Sequence, residues 1–346
     1  MFVRIVAFTL VALSLPAAAD GEVNLYTARH YDADTRLYEA FHEATGVTVN
    51  VIEDKAGALM ERMRIEGDNS PVDVFMTADA SNLMSAALGG LLQGVSSAVL
   101  ESRIPASLRH PDGEWFAFTR RARVIMVSRD FDSAGLERYE DLADPRFDDT
   151  ICIRSSGNIY NQSLVASLIV ANGDDDTARW VRGLVANMAR EPESNDTGQI
   201  KAVAAGQCEI AVANTYYLAR LARSDDQANR DIADAIRVIM PNQDDRGVHV
   251  NISGAGVAAH APNRDNAIAF LEFLASDLAQ QVFAESNNEW PVVDGIAHAV
   301  VLDDLYGDFV ADDIDVAVFG ANRARARGSM QSNGCNYPPG RHWPRP

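Results

Sequence analysis

Short apolar runs that lead through a loop into an amphipathic helical segment recur along this chain. This alternation limits the fold more than any other feature. Three pairs of predicted strand and helix come first, at residues 23–27 and 33–46, 47–53 and 57–66, and 72–77 and 81–92. A second series begins with a strand predicted at residues 151–154 and includes another at residues 209–213. Strands that alternate with helices indicate a parallel sheet with helices on its faces, so the predicted fold class is α/β.

Extended segments separate the two series and indicate two lobes, which the length of 346 residues allows. Residues 115–119 and 124–127 are predicted to be extended, and the chain returns through residues 248–258. Two lobes joined by crossing strands form a hinged clamshell. The predicted division is an N-terminal lobe of residues 20–118 and 246–296, a C-terminal lobe of residues 119–245 and 297–327, and a disordered tail at residues 328–346, which is rich in Pro, Gly and Asn.

The first nineteen residues have the features of a secretory signal. Arg4 precedes an apolar stretch, and Ala17, Ala18 and Ala19 form a small-residue cleavage site before Asp20. We therefore expect cleavage after Ala19, export and, in a bacterium, a periplasmic location. The formal net charge is −19, from 30 basic and 49 acidic residues. A nucleic-acid partner is not expected, because phosphate binding needs a basic face.

Two of the three cysteines lie close to predicted strands of the second series. Cys152 is within one strand, and Cys208 immediately precedes another. Export permits disulfide formation, so a Cys152–Cys208 bond is predicted if the two strands are neighbours. Two buried free thiols are the alternative.

Tyrosines follow the predicted strands of both lobes. His30 and Tyr31 lie in the loop after the first strand, Tyr160 follows the strand that contains Cys152, and Tyr216 and Tyr217 follow the strand at residues 209–213. Open α/β sheets bind ligands beyond the carboxyl ends of their strands. Closure of the two lobes is therefore expected to bring these side chains together, although aromatic residues at a helix start also commonly close a core.

A cluster of phenols suits a hard, highly charged cation. Phenolate is a hard anionic donor, and a free tyrosine has a pKa of about 10, so deprotonation at neutral pH needs a strong cation nearby. Ferric iron meets this requirement, whereas calcium and magnesium prefer carboxylates and zinc prefers Cys, His and carboxylate. Four phenolates around Fe³⁺ would carry a net charge of −1, which Arg121 and Arg220 are placed to balance.

Two other functions are alternatives to iron binding. The same clamshell could hold a small organic anion through Arg121, Arg154 or Arg220, with the aromatic residues lining its pocket. A secreted hydrolase is disfavoured, because the chain contains neither a His-Glu-x-x-His nor a Gly-x-Ser-x-Gly motif.

Four separated motifs carry a resemblance to a known family. They are Val-Asn-Leu-Tyr-Thr-Ala-Arg-His-Tyr ending at residue 31, Arg-Ala-Arg-Val starting at residue 121, Ile-Arg-Ser-Ser-Gly-Asn-Ile-Tyr-Asn-Gln-Ser around residue 160, and Ala-Asn-Thr-Tyr-Tyr ending at residue 217. In this order they resemble the ferric-iron-binding periplasmic proteins of bacterial iron ABC importers, and most of all the cyanobacterial-type group. The resemblance extends over roughly residues 23–321.

The resemblance implies a type II periplasmic binding protein, with each lobe a mixed sheet flanked by helices. It implies a monomeric carrier, not an enzyme, that delivers Fe³⁺ to an inner-membrane ABC permease with its ATPase. The implied metal ligands are tyrosines with an optional histidine, namely Tyr31, Tyr160, Tyr216, Tyr217 and His30. Arg121 and Arg220 match arginines that balance charge in such sites. The need for a synergistic anion such as carbonate stays open. The chain departs from the family after residue 325, where a proline-rich tail replaces the expected final helix.

Overall fold

The computed structural model of the chain describes residues 21–29, 31, 33–192 and 195–334. His30, the predicted signal with its cleavage site after Ala19, and residues 335–346 lie outside the described residues. The strands are β1 (Gly21–Thr27), β2 (Val47–Glu53), β3 (Val74–Ala78), β4 (Phe116–Ser128), β5 (Ile151–Cys152), β6 (Ile210–Asn214), β7 (Ile236–Ile239), β8 (Val250–Val257) and β9 (Trp290–Pro291).

Helices follow most of these strands, as the sequence pattern predicted. They are α1 (Asp34–Thr45), α2 (Ala56–Glu66), α3 (Ala80–Leu88), α4 (Ala98–Arg103), α5 (Ile159–Asn172), α6 (Asp174–Ala186), α7 (Asp196–Ala204), α8 (Thr215–Ala222), α9 (Gln227–Asp234), α10 (Arg264–Leu274), α11 (Asp277–Asn287), α12 (Val300–Tyr306) and α13 (Ala317–Ser332). Within the described residues no single helix has the length and apolar composition to cross a membrane. Only α10 and α11 taken together, bent by 63° relative to each other, meet those two criteria.

The strands form two sheets that share β4. In the first sheet β1 pairs in parallel with β2 and β3, and β8 pairs antiparallel with β3 and with the first half of β4. In the second sheet the rest of β4 pairs antiparallel with β6 and β7, and β5 pairs in parallel with β6. The chain therefore has the predicted α/β architecture of mixed sheets, and β4 is a strand that crosses between them.

One extended segment differs from the prediction. Residues 115–119 and 124–127 were predicted to be separate, but β4 runs through both without interruption. The arginines between them do not end the strand, because ladders to β8 and then to β6 hold their backbone on both sides of the crossing. Two of these arginines, Arg121 and Arg123, are only 1% exposed.

The predicted disulfide is confirmed. Cys152 and Cys208 are bonded to each other, and Cys152 lies opposite Ala211 in the parallel pairing of β5 with β6. The bond ties the chain that enters β6 to the strand beside it. All five residues of β6 are buried, so the strand that leads to Tyr216 and Tyr217 lies within the core.

The C-terminal helix corrects another prediction. The tail was expected to be disordered from residue 328, but α13 continues to Ser332. Its helix is stabilised by packing: Phe319 and Met330 are 2% exposed, and a Cβ at Gly320 would lie 2.4 Å from the Cβ of Met84 on α3. Packing against α3 and α5 therefore outweighs the weak helical preference of the local sequence.

Candidate functional site

Each tyrosine singled out from the sequence follows a strand. Tyr31 lies between β1 and α1, Tyr160 is in the first turn of α5, and Tyr216 and Tyr217 are in the first turn of α8. Asn158 caps α5, because its side chain accepts a hydrogen bond from the backbone N–H of Tyr160 at 2.9 Å. The backbone of Tyr160, Tyr216 and Tyr217 is therefore fixed by the start of a helix.

The four tyrosines converge on one point between the two sheets, and we call this group (Tyr31, Tyr160, Tyr216 and Tyr217) the tyrosine cluster. The hydroxyl of Tyr216 donates to the hydroxyl of Tyr160 at 3.3 Å. The ring of Tyr216 lies 4.3 Å from that of Tyr217, centroid to centroid, and 6.2 Å from that of Tyr31 in an edge-on contact. The structure therefore brings these residues together as the sequence predicted.

Burial controls the protonation of Tyr31, Tyr160 and Tyr216. Loss of solvation raises the pKa of Tyr160 to about 12, with the nearby Tyr217 adding to the effect. Burial also raises the pKa values of Tyr31 and Tyr216 well above the ordinary value of 10.0. These three phenols are consequently neutral at physiological pH unless a strong cation replaces their protons.

Arginines surround the tyrosine cluster. The guanidinium carbon of Arg121 lies 5.7 Å from the ring centroid of Tyr160, and that of Arg154 lies 5.0 Å from the same ring. Arg154 also hydrogen-bonds to Tyr217. The exposed Arg220 lies 5.8 Å from the ring of Tyr31 and 5.9 Å from that of Tyr216. Cationic groups at these positions favour negative charge on the phenols.

A buried set of charged and amide side chains lies beside the tyrosines that follow strands of the second sheet. We call this set the Asp196 network (Arg123, Arg154, Asn161, Asp196 and Asn214). Asp196 is fully buried and accepts hydrogen bonds from Arg123 at 3.1 Å and from Arg154 at 3.3 Å. Arg123 in turn donates to Asn161 at 2.6 Å and to Asn214 at 3.0 Å. Asn161 adjoins Tyr160 and Asn214 precedes Tyr216, so one network positions both junctions.

The same network explains why the side chain of Asn214 does not cap α8. This residue occupies the N-cap position of α8, but its side chain makes no capping hydrogen bond. Its carboxamide oxygen accepts from Arg123 instead, and its backbone N–H donates to Asp196 at 3.0 Å. The side chain thus links α8 to the Asp196 network.

A different set of charges supports Tyr31. The guanidinium of Arg29 lies 4.7 Å from the Tyr31 ring centroid and is paired with Asp34 at 2.9 Å. Arg29 also lies 3.6 Å from Glu289, which accepts a hydrogen bond from the hydroxyl of Thr119 at 3.0 Å. These charged side chains are almost wholly buried, so the loop that carries Tyr31 is fixed to the first sheet.

The donor chemistry of the site is that of phenols. Among the described residues no group of three or more His, Cys, Asp or Glu side chains is arranged to hold a metal ion. Arg121 also has an unpaired polar atom, since its buried Nη2 has no hydrogen-bond partner in the described part of the chain. The cluster therefore presents four phenols and a buried cation to whatever it binds.

Comparison with known proteins identifies the family. The model of the family described as bacterial extracellular solute-binding protein matches residues 69–308, which is more than half of the chain. The chain belongs to this family. It is therefore a solute-binding protein that acts outside the cytoplasm, and not an enzyme.

Individual relatives of this solute-binding protein are named for iron. It is 49% identical over 317 residues to iron uptake protein A2 of Synechocystis sp., covering 90% of each chain. It is 26% identical over 295 residues to the major ferric iron-binding protein of Neisseria meningitidis, covering 83% of this chain and 86% of the relative. A solved structure of Trichodesmium IdiA (FutA) in complex with iron and citrate is 51% identical, with a TM-score of 0.87, covering 91% of this chain and 99% of that chain. These likenesses show the type II periplasmic binding protein fold.

The sequence identified the four tyrosines and the nearby Arg121 and Arg220, although their functional roles stay predictions. It missed the support around them. Nothing in the sequence around Asp196 predicts its two buried arginine partners. Arg29 lies in the same loop as Tyr31 and within the first of the four motifs, but nothing in the sequence predicts its buried carboxylate partners.

Proposed function

We propose that this solute-binding protein captures Fe³⁺ in the cleft between its lobes through the phenolates of Tyr31, Tyr160, Tyr216 and Tyr217. The observation that carries the proposal is the convergence of four phenols beside arginines. Four phenolates around Fe³⁺ have a net charge of 3 − 4 = −1, which the buried Arg121 is placed to offset. The names of the iron-binding relatives support the same cargo.

Capture would proceed by closure of the two lobes. Three of the tyrosines follow strands of the second sheet, and Tyr31 follows a strand of the first. A metal ion held by all four stabilises the closed arrangement over an open one, because only the closed arrangement supplies the fourth phenolate. His30 is proposed as an optional fifth ligand, since it adjoins Tyr31 in the chain.

The lobes are proposed to comprise residues 20–118 with 246–296 and residues 119–245 with 297–327. The crossing of β4 and the return of β8 support two lobes, although the proposed boundary lies within β4, which changes its pairing between Ala122 and Arg123. After cleavage behind Ala19, the mature protein would act as a monomer in the periplasm. It would deliver iron to an inner-membrane ABC permease with its ATPase.

A small anion such as carbonate is proposed to complete the coordination of the iron. The buried Nη2 of Arg121, which lacks a hydrogen-bond partner among the described residues, supports an anion at this point. Iron loading in bicarbonate-free buffer, followed by addition of bicarbonate, tests it. A spectrum that changes only after the addition supports the anion.

The visible absorption spectrum of the purified mature protein, before and after addition of ferric citrate, tests the iron proposal. A broad phenolate-to-iron charge-transfer band is expected in the wild type and should disappear in the double variant Tyr216→Phe/Tyr217→Phe. Tyr38→Phe is the matched control, because Tyr38 lies on α1 outside the tyrosine cluster and should leave the band intact. A protein that stays colourless with iron would reject the proposal and favour a small organic anion as the ligand.

A further inference from the structure

A fully buried carboxylate lies where β3 leads into α3. Asp79 is 0% exposed and caps α3 by accepting a hydrogen bond from the backbone N–H of Ser81 at 2.8 Å. Its φ angle is 143°, a conformation that side chains with a Cβ rarely adopt. Such backbone strain persists only where the surroundings hold the residue firmly, and it is common at functional sites.

The carboxylate of Asp79 joins three elements that are distant in the chain. Its oxygens accept from the hydroxyl of Ser163 on α5 at 2.9 and 3.1 Å, and from the side-chain amide of Asn251 on β8 at 2.9 Å. The Ser81 hydroxyl lies 2.9 Å from that of Ser163. We call this set (Asp79, Ser81, Ser163 and Asn251) the Asp79 cluster. All four side chains are buried, so each of these hydrogen bonds is shielded from water.

The Asp79 cluster connects the two parts of the fold that carry Tyr31 and Tyr160. Ser163 is three residues after Tyr160 and therefore on the next turn of the same helix. Asp79 follows β3, which pairs with β1, the strand that leads to Tyr31. Asn251 is the ladder partner of Arg121. Within the described residues Asp79 makes no direct contact with a tyrosine of the cluster. It is linked to the site through α5 and β8, and its carboxylate also interacts electrostatically with the guanidinium of Arg121.

We propose that Asp79 is a positioning residue for metal capture, which fixes Tyr160 relative to Tyr31 in the closed arrangement by pinning α5 to the start of α3. This inference rests on the proposed function, because four phenolates from two parts of the fold can bind one ion only if those parts keep a fixed position relative to each other. Metal-ligand geometry must be held within about 0.5 Å for tight binding. The hydrogen bonds from Ser163 to Asp79 supply a direct link of this kind.

Ser163→Ala is the informative variant, since it removes the link from α5 while leaving the capping hydrogen bond of Asp79 to Ser81 in place. Ser167→Ala is its matched control. Ser167 is on the same helix and 1% exposed, but its hydroxyl donates to the backbone oxygen of Leu164 within that helix. Both variants remove one buried hydroxyl, and only Ser163→Ala removes hydrogen bonds between α5 and the start of α3.

Iron affinity, measured by competition with citrate, is expected to fall about tenfold in Ser163→Ala, because a hydrogen bond to a buried charged group is lost. Ser167→Ala should change it less than about twofold, even if the two variants have similar melting temperatures. In a Tyr160→Phe background, Ser163→Ala should cause no further loss, because its effect passes through Tyr160. Equal affinities for the two serine variants would show that Asp79 only caps α3.

Hydrogen exchange of the iron-free protein tests the same inference without metal. Amides in the first turn of α5 should exchange about tenfold faster in Ser163→Ala than in the wild type, with no such change in Ser167→Ala. Unchanged exchange in Ser163→Ala overturns the inference, whether or not iron binds. A wild type without a charge-transfer band rejects the proposed function instead, and the exchange result then decides whether Asp79 fixes α5.

Discussion

The two sides of the tyrosine cluster are held by different sets of buried charges. Tyr160, Tyr216 and Tyr217 are positioned by the Asp196 network, within which Arg123 contacts both Asn161 and Asn214. Tyr31 is positioned by Arg29 and its carboxylate partners, and among the described tyrosines its ring contacts that of Tyr216 edge-on. Three phenols thus share one rigid support, whereas the fourth comes from a separate one.

This difference assigns different tasks to the two sides. A support shared by three ligands keeps them close together before a metal ion arrives, which lowers the cost of ordering them on binding. A single ligand on the other lobe adds affinity only when the lobes close. The three tyrosines would therefore make the initial contact with iron, and Tyr31 would retain it.

The largest expected effect comes from removing a phenol on the shared support. Loss of a residue that supports a metal ligand, without binding the metal itself, can weaken metal binding roughly 100-fold. Tyr216→Phe should weaken iron binding by more than that, because it removes a ligand that contacts every other member of the cluster. Tyr31→Phe should cost less and leave a weaker charge-transfer band from the other three phenolates. Competition titrations with citrate measure both losses. Equal losses in the two variants would contradict the division of tasks.

A smaller loss of iron affinity is expected when the Asp196 network is altered. Asp196→Asn leaves Arg123 and Arg154 without their buried carboxylate, so the free energy of unfolding should fall by about 3–5 kcal/mol. Iron affinity should fall about 10–100-fold, with a shifted charge-transfer band. Chemical denaturation and visible spectra measure these changes. Asp34→Asn is the control on the Tyr31 side, and a band shifted equally by both variants would refute a separate support.

The sequence predicted the alternating elements and the convergence of four tyrosines, because both follow from local pattern and from the rule that strand ends form binding sites. It could not predict the supports. Asp196 and Asp79 each lie at a helix start, where acidic residues are common, and their arginine, serine and asparagine partners are mostly distant in the chain. The extension of α13 was missed for the same reason, since the close approach of Gly320 to Met84 is a tertiary contact.

The number of protons released on iron binding distinguishes the two sides more finely. Burial raises the pKa values of Tyr31, Tyr160 and Tyr216, so each releases a proton when it binds iron near neutral pH. Affinity should therefore fall as the pH falls. The slope of log affinity against pH should be lower by about one in Tyr31→Phe than in the wild type, because one phenol fewer is deprotonated. An affinity that is flat between neutral and mildly acidic pH would rule out phenolate binding.

Unfolding must be monitored in the same pH series. Burial and the neighbouring Arg123 lower the pKa of His249 from 6.5 to about 3. Below pH 6.5 the unfolded chain binds a proton at this residue that the folded chain does not, so the contribution of His249 to folding stability decreases as the pH falls toward 3. Circular dichroism at each pH separates this destabilisation from the loss of iron.

The smallest expected effect concerns Arg220, an arginine that lies over rings of both sides. Arg220 lies over the rings of Tyr31 and Tyr216 but is exposed, so water and salt weaken its influence on the phenolates. Arg220→Gln should lower iron affinity only about two- to fivefold at low salt, and less at high salt. Arg179→Gln is a matched control, because Arg179 is an exposed arginine on α6 that pairs with Asp176 on its own helix. A loss in Arg220→Gln that persists at high salt would mean that Arg220 becomes buried on closure, and that the two sides share a cation as well as a metal ion.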